Sequence, residues 1–285
     1  MACNAPLTAW RSTEKTARGK RAVTFSIHEA YTDMPLSLPC GTCTGCKLDK
    51  ALQWAIRCMH EASMHDYNCF VTLTYNDENL PRHNGVATLR PADFRNFMKK
   101  LRHRRDKISF FQAGEYGQLG RPHHHALLFN CHFPDQKRWR ASGKYQIYRS
   151  PELETLWPYG NTEIGSVTIQ SAGYIARYTT KETQQIAGRI PEYITMSRRP
   201  AIGKTWLEKY ISDIYPEDAV RTRQGQKFRP PRYYDKQLEV IDKNLLHEIQ
   251  RQRTNNLTEE TKYGDHRTAR EAIQKAKLRL SERKI

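Results

Sequence analysis

The chain has 285 residues, with 47 Lys+Arg against 30 Asp+Glu for a formal net charge of +17, and it is 38% hydrophobic and 10% aromatic. A mean hydropathy of −0.81, with no apolar run near the ~18 residues that a bilayer span needs, excludes a helical membrane protein and predicts a soluble one. The basic residues run from Arg11 to Lys284, interleaved with Tyr, Phe and Trp, which fits a nucleic-acid-binding surface better than a single basic tail.

Length allows one or two domains, since chains of this size bury roughly three quarters of their unfolded surface. The seven cysteines are odd in number, and the start Met1-Ala2-Cys3-Asn4-Ala5-Pro6 has no basic-then-apolar leader. Reduced thiols in a cytoplasm-like compartment are therefore expected.

Residues 1–39 are polar and weakly periodic, and they end in Pro35-Leu36-Ser37-Leu38-Pro39. This part reads as an extended linker without regular structure. From Lys47 to His65, Leu48, Leu52, Ala55, Ile56 and Met59 recur at helical spacing. Phe70 to Tyr75 is β-branched and aromatic and stops at Asn76-Asp77, so it predicts a strand and a turn. Pro91 opens a basic amphipathic helix with Phe94, Phe97, Met98 and Leu101 on one face.

Two strands, from about Ile108 to Glu115 and His123 to Phe129, flank a turn-rich segment and predict a hairpin. Ser150-Pro151-Glu152 reads as an N-cap with Pro at the first helical position, and a short strand is expected at Ser166 to Ile169. Ser171 is positioned to cap the helix that follows. Two amphipathic helical patterns close the chain, near Lys236 to Arg251 and Thr268 to Arg283. The organisation predicted is an N-terminal extension over 1–65, a core over 66–190 and a basic, mostly helical region over 191–285.

Strand alternation puts His123 and His125 on one face and His124 on the other. In an antiparallel hairpin with 115 opposite 123 and 113 opposite 125, Glu115 projects beside the two outer histidines. One carboxylate and two imidazoles make a three-ligand site with open positions, suited to a catalytic divalent ion. The competing reading is a polar strand end with hydrogen-bonded histidines.

Tyr174, Tyr178 and Lys181 fall along one stripe of a helix. A phenol, with its pKa near ~10, needs a cation to become a useful nucleophile, and Lys181 and a divalent ion would supply one. Such an ion also polarises a phosphodiester oxygen. Taken alone, a tyrosine pair at this spacing is more often core packing.

The strand Phe70 to Tyr75, the run Arg121-Pro122-His123-His124-His125-Ala126-Leu127-Leu128-Phe129 and the helix Tyr174-Ile175-Ala176-Arg177-Tyr178-Thr179-Thr180-Lys181 resemble the three motifs of HUH rolling-circle replication endonucleases. More narrowly, the chain is similar to replication initiators of gokushovirus-like microviruses. Cys40 to Cys46, Gln53 to Glu61 and Met196 to Pro200 add to the likeness, which spans about residues 2–210. His124 departs from the hydrophobic or aromatic residue usual between the two metal histidines. The resemblance implies an α+β fold, with a central antiparallel sheet of about five strands flanked by helices and a basic helical C-terminal extension.

It also implies Tyr174 and Tyr178 as alternating nucleophiles, and Glu115, His123 and His125 as ligands of Mg2+ or Mn2+. Lys181 would contact the scissile phosphate. The product would be a 5′-phosphotyrosine that starts rolling-circle replication at a single-stranded DNA origin in a bacterial host's cytoplasm. No Gly-rich phosphate loop followed by Lys and Ser or Thr is present, so host helicase and polymerase are implied partners. Arg177, Arg198, Arg199, Arg229 and Arg232 are candidate DNA contacts, although a charge run is usually a solvated face. Two other classes stay open: a non-enzymatic nucleic-acid binder, and a phosphodiesterase that activates water.

Cys40, Cys43 and Cys46 have a spacing that suits structural Zn2+ or an iron–sulfur cluster, or three reduced thiols. Cys58 would lie roughly 18 Å further along the helix, so a distant residue such as Cys3 or His28 would have to complete a site.

Overall fold

The computed structural model describes residues 3–17, 19, 21–143, 145–177, 186–222, 225–256 and 266–282. The first 39 residues are not the linker their composition predicts. They form a three-stranded antiparallel sheet of β1 (Leu7–Lys15), β2 (Arg21–Thr24) and β3 (Ala30–Leu38), in the order β2-β1-β3. The alternation that would announce β1 is missing because only Ala9 along it is buried. Pro35 is tolerated because β3 is an edge strand, where no partner needs the missing N–H.

The chain divides into two compact units, Met1–Lys50 with Arg251–Ile285, and Ala51–Gln250. In the second, the elements in chain order begin with α1 (Thr44–Ala62, of which Ala51 onward belongs here), β4 (Asn68–Thr74), the short pair β5 (Arg82–His83) and β6 (Val86–Ala87), and α2 (Pro91–Arg104). β7 (Ser109–Tyr116), β8 (Pro122–Phe129), β9 (Lys137–Ser142), β10 (Tyr145–Arg149), α3 (Pro151–Leu156), β11 (Thr162–Gly165), α4 (Ile169–Arg177) and β12 (Tyr193–Met196) complete the core. α5 (Lys204–Ile214), β13 (Val220–Arg221), β14 (Lys227–Phe228), α6 (Arg232–Ile241) and α7 (Lys243–Asn255) follow, and α8 (Arg267–Glu282) belongs to the first unit.

The central sheet has seven strands in the order β12-β7-β8-β4-β11-β10-β9, every neighbouring pair antiparallel. The α+β class is as expected, and the β10–β9 hairpin carries the sheet beyond the five strands the resemblance implies. α1 and α4 cover one face, where Ala55, Cys58, Phe111, Leu127, Phe129 and Ile175 share a core. α2 and α3 cover the other, with Phe94, Phe97, Leu128, Leu153 and Trp157.

This two-sided burial fixes the register of β8. A slip of one residue would swap Leu127 and Phe129 with Leu128, and carry the outer histidines to the opposite face. Leu127, Leu128 and Phe129 are all fully buried, and burying each such side chain contributes roughly 1.5–3 kcal/mol. At Gly114, beside Glu115, an added Cβ would lie 2.7 Å from the Tyr193 ring, so only glycine lets β12 pack so closely there.

Two helix starts differ from expectation. Ser166-Val167-Thr168 is not a strand; β11 ends at Gly165. Thr168 and Ser171 cap α4 reciprocally, the Ser171 N–H donating to Thr168 Oγ1 at 3.1 Å and the Thr168 N–H to Ser171 Oγ at 2.8 Å. The pattern from Lys236 to Arg251 is two helices, because Asp242 takes an extended conformation and its Oδ1 accepts the Leu245 N–H at 2.9 Å as an N-cap. Ser150 caps α3 as expected, accepting the Leu153 N–H at 3.1 Å.

Candidate active site

β7 and β8 pair with Glu115 opposite His123 and Ala113 opposite His125, the register that strand parity predicts. His123 Nε2 lies 2.6 Å and His125 Nε2 2.8 Å from the same atom, Glu115 Oε1. Glu115 is 2% exposed and His125 8%. On β4, Thr72 stands opposite His125, and its Oγ1 is 3.0 Å from His125 Nδ1.

These contacts show what the group lacks. His123 Nδ1 is 3.2 Å from the Arg121 carbonyl oxygen, which can only accept, so Nδ1 carries the proton. A neutral His123 then aims its Nε2 lone pair at a carboxylate oxygen, and that is favourable only with a proton or a cation between them. Glu115 Oε2 is buried without a hydrogen-bond partner. Burial alone would raise the Glu115 carboxyl, but hydrogen bonds from His123 and His125 and their charge outweigh it and hold the group well below the ordinary carboxylate range. Burial keeps His125 below its ordinary value, in the neutral form that binds metals. The three ligand atoms lie within 4.8 Å of one another, so the donor set fits a divalent ion with open coordination positions.

α4 brings the tyrosine in. Its buried residues Ala172, Ile175 and Ala176 pack on the sheet, which turns Tyr174 toward the hairpin. The Tyr174 hydroxyl donates to Glu115 Oε1 at 2.9 Å, and its ring meets His125 edge-on at 5.2 Å between centroids. Arg177 ends α4. Tyr178 and Lys181 lie outside the described residues.

Behind the sheet, His124 has a separate and structural environment that the sequence reading missed. Its Nε2 is 3.1 Å from the Tyr75 hydroxyl, which donates to Asp93 Oδ2 at 2.8 Å, while Nδ1 is 3.2 Å from Gln112 Nε2. Arg90 Nε completes the chain, 2.8 Å from both Asp93 oxygens. Fully buried, His124 is pushed down to about 3 by desolvation and stays neutral.

A family model for the replication-associated protein ORF2 matches residues 68–183, the stretch from β4 through α4 that holds Glu115, His123, His125 and Tyr174. The replication-associated protein VP4 of Bdellovibrio phage phiMH2K is 37% identical over 70% of this chain and 66% of its own length. The replication-associated protein ORF2 of Spiroplasma virus 4 is 34% identical over 71% of this chain and 68% of its own. The chain belongs to the replication-associated proteins of microviruses. A third such protein, ORF4 of Chlamydia phage 1, is 30% identical over 61% of this chain and 46% of its own length. No solved structure matches.

Two further groups of this replication-associated protein lie outside residues 68–183. Arg198 and Arg199 follow β12, and Arg229 and Arg232 flank the start of α6; all four are exposed. Cys40, Cys43 and Cys46 lie together with Cys3, their sulfurs within 4.8 Å of one another, so a fourth thiol that could hold a metal is present. His28, the alternative fourth ligand, is not part of this group. Among the described residues, no helix is long and apolar enough to cross a membrane.

Proposed function

We propose that this protein nicks and rejoins single-stranded DNA at a replication origin, with tyrosine as nucleophile and a divalent ion held by Glu115, His123 and His125, and so initiates rolling-circle replication of a small phage genome. One observation carries the reading: the Tyr174 hydroxyl and both outer histidines converge on a single oxygen, Glu115 Oε1, at 2.9, 2.6 and 2.8 Å. A water-activating phosphodiesterase has no use for a phenol directed at its metal ligands. A simple DNA binder has no use for a buried carboxylate with an unpartnered oxygen.

When bound, Mg2+ or Mn2+ would polarise the scissile phosphodiester and offset the charge that develops on it. Glu115 and the two imidazoles are held by the paired strands and by the contacts of Thr72 and Arg121, so the ligands need little reorganisation. Tyr174 is held within hydrogen-bond reach of the ligand set by α4. Its phenolic oxygen, giving up its proton, forms a bond to phosphorus as the bond to the 3′ oxygen breaks. That oxygen leaves as a free hydroxyl, and the 5′ phosphate stays on the tyrosine. One phosphoester is exchanged for another, so the reverse step can join ends without a nucleotide cofactor.

Tyr178 would act as the second nucleophile, cutting the regenerated origin, and Lys181 would contact the scissile phosphate. Residues 66–190 serve as the catalytic core. Arg177, Arg198, Arg199, Arg229 and Arg232 would hold DNA phosphates, and the host's helicase and polymerase would open and copy the duplex. The cysteine group takes no part in this chemistry, and its four thiols suit a structural ion such as Zn2+. The test is incubation with origin-bearing single-stranded DNA and Mg2+ or Mn2+, which should give a protein–DNA adduct that survives denaturation.

A further inference from the structure

We infer that Cys3, Cys40, Cys43 and Cys46 form a closed tetrathiolate zinc site that clasps the two ends of the β1–β3 sheet to the start of α1 and supports α8. Two of these ligands come from the C-x2-C turn Cys40-Gly41-Thr42-Cys43, a third from the first turn of α1, and the fourth from 37 residues upstream. The inference rests on cysteine geometry alone and not on the nicking chemistry.

The sulfur positions carry it. Cys3 Sγ is 3.7 Å from Cys40 Sγ and 3.9 Å from Cys43 Sγ. A disulfide needs roughly 2 Å, and all seven cysteines are free. Four sulfurs at ~2.3 Å from a central zinc stand about 3.8 Å apart along a tetrahedral edge. A cubane iron–sulfur cluster gives each thiolate a different iron and needs a wider spacing than four sulfurs all within 4.8 Å of one another.

The surrounding backbone is arranged for negative sulfur. N–H groups of Asn4 and Cys46 point at Cys43 Sγ at 3.2 and 3.5 Å, that of Cys40 at Cys3 Sγ at 3.3 Å, and that of Cys43 at Cys40 Sγ at 3.3 Å. Gly41, at φ +79°, lets the turn fold back so that these donors converge. The cluster sits at the N-terminal end of a 19-residue helix, whose dipole favours negative charge there. Each thiol gives its proton to solvent as it takes the ion, and all four positions are then filled by protein, leaving no open site for catalysis.

The unit has a need for such a staple. Among its described residues only Cys3, Asn4, Ala9 and Gly45 are buried, far too little to stabilise a sheet and a helix by apolar burial. Cys3 lies four residues before the Leu7 end of β1 and Cys40 two after the Leu38 end of β3, and Leu7 and Leu38 are paired. Asn4, next to Cys3, donates to Gln274 at 2.8 Å and accepts from Arg270 Nε at 3.2 Å, while Thr44 donates to Glu271 at 3.3 Å. Fixing Cys3 therefore fixes the residue that holds α8.

Full-length protein expressed with zinc and dialysed against EDTA is assayed for metal by mass spectrometry. One zinc per chain is expected, retained in the His123→Ala/His125→Ala variant and reduced at least tenfold in Cys3→Ser, with loss of amide-exchange protection in α8. Should Cys3→Ser fail to fold, alkylation of the unaltered protein decides: zinc should shield Cys3, Cys40, Cys43 and Cys46 together, and a mercurial that titrates four thiols should release it. Zinc absent from the unaltered protein, iron in its place, undiminished zinc in Cys3→Ser, or Cys3 alkylated freely with zinc bound would each overturn the inference. Zinc retained without any DNA adduct would leave it standing and count only against the nicking reading.

Discussion

Tyr174 and Glu115, 59 residues apart, meet through a 2.9 Å hydrogen bond that joins a helix on one face of the sheet to the hairpin carrying both outer histidines. Glu115 is thereby the hinge between two chemistries, contacting the imidazoles on one side and the phenol on the other. Substitutions around it should separate metal binding from nucleophilic attack.

The first separation concerns Thr72. Its hydroxyl is the partner of His125 Nδ1 and orients that ring without touching the substrate. Thr72→Val should weaken divalent-ion binding by roughly 10–100-fold while leaving nicking at saturating Mn2+ near the original rate. Calorimetric titration with Mn2+, set beside nicking rates across metal concentration, checks this. An unchanged affinity would show that Thr72 does not orient the ligand.

Tyr75 tests the opposite face. Tyr75→Phe leaves Asp93 Oδ2 and His124 Nε2 without the hydroxyl between them, and a buried partner lost in this way costs about 1–3 kcal/mol. Urea unfolding should report that loss. Adduct formation below the melting range should persist, because the pair lies behind the sheet and away from Glu115.

His60 gives a dependence on pH. It stacks on Trp206 with ring centroids 3.4 Å apart, its Nδ1 is 2.8 Å from the Tyr234 hydroxyl, and burial pushes it down to about 3 from an ordinary 6.5. With the folded value below the unfolded one, the unfolded chain binds more protons between them, so stability is full above pH 6.5 and falls toward pH 3. The slope from this residue is about 1.4 kcal/mol per pH unit. His60→Phe should flatten the fall of the urea midpoint across that window; an unaltered slope would mean that His60 is protonated in the folded protein.

Arg198 and Arg199 are exposed beyond β12. If each neutralises one phosphate, replacing both by Ala should lower the slope of log affinity against log salt for single-stranded DNA by about 1.4. Fluorescence anisotropy over a salt series measures it, and an unchanged slope would return both residues to the role of solvated charge.

The hairpin and its ligands were legible in the sequence because strand parity is a local rule: once His123 and His125 share a face, Glu115 follows from the register. Ser150-Pro151 was legible for the same reason. The N-terminal sheet was not, since β1 buries only Ala9 and shows no alternation, and β9 is exposed along its whole length. Helical spacing could nominate Tyr174, but its direction depends on Ile175 and Ala176 packing against the sheet. Cys3 stands 37 residues from its nearest partner in the C-x2-C turn, and no local pattern announces such a contact. Long-range packing, rather than propensity, supplied what the sequence alone did not.

The central claim is that a tyrosine of this site becomes covalently bound to DNA. Protein incubated with origin-bearing single-stranded DNA and Mn2+, digested and analysed by peptide mass spectrometry, should carry a 5′-phosphonucleotide on the Tyr174 or Tyr178 phenol. The adduct should vanish when both are changed to Phe, and when Glu115, His123 and His125 are together replaced by Ala. Cleavage of the DNA with no nucleotide on either tyrosine, or an undiminished adduct in the double Phe variant, would contradict the account.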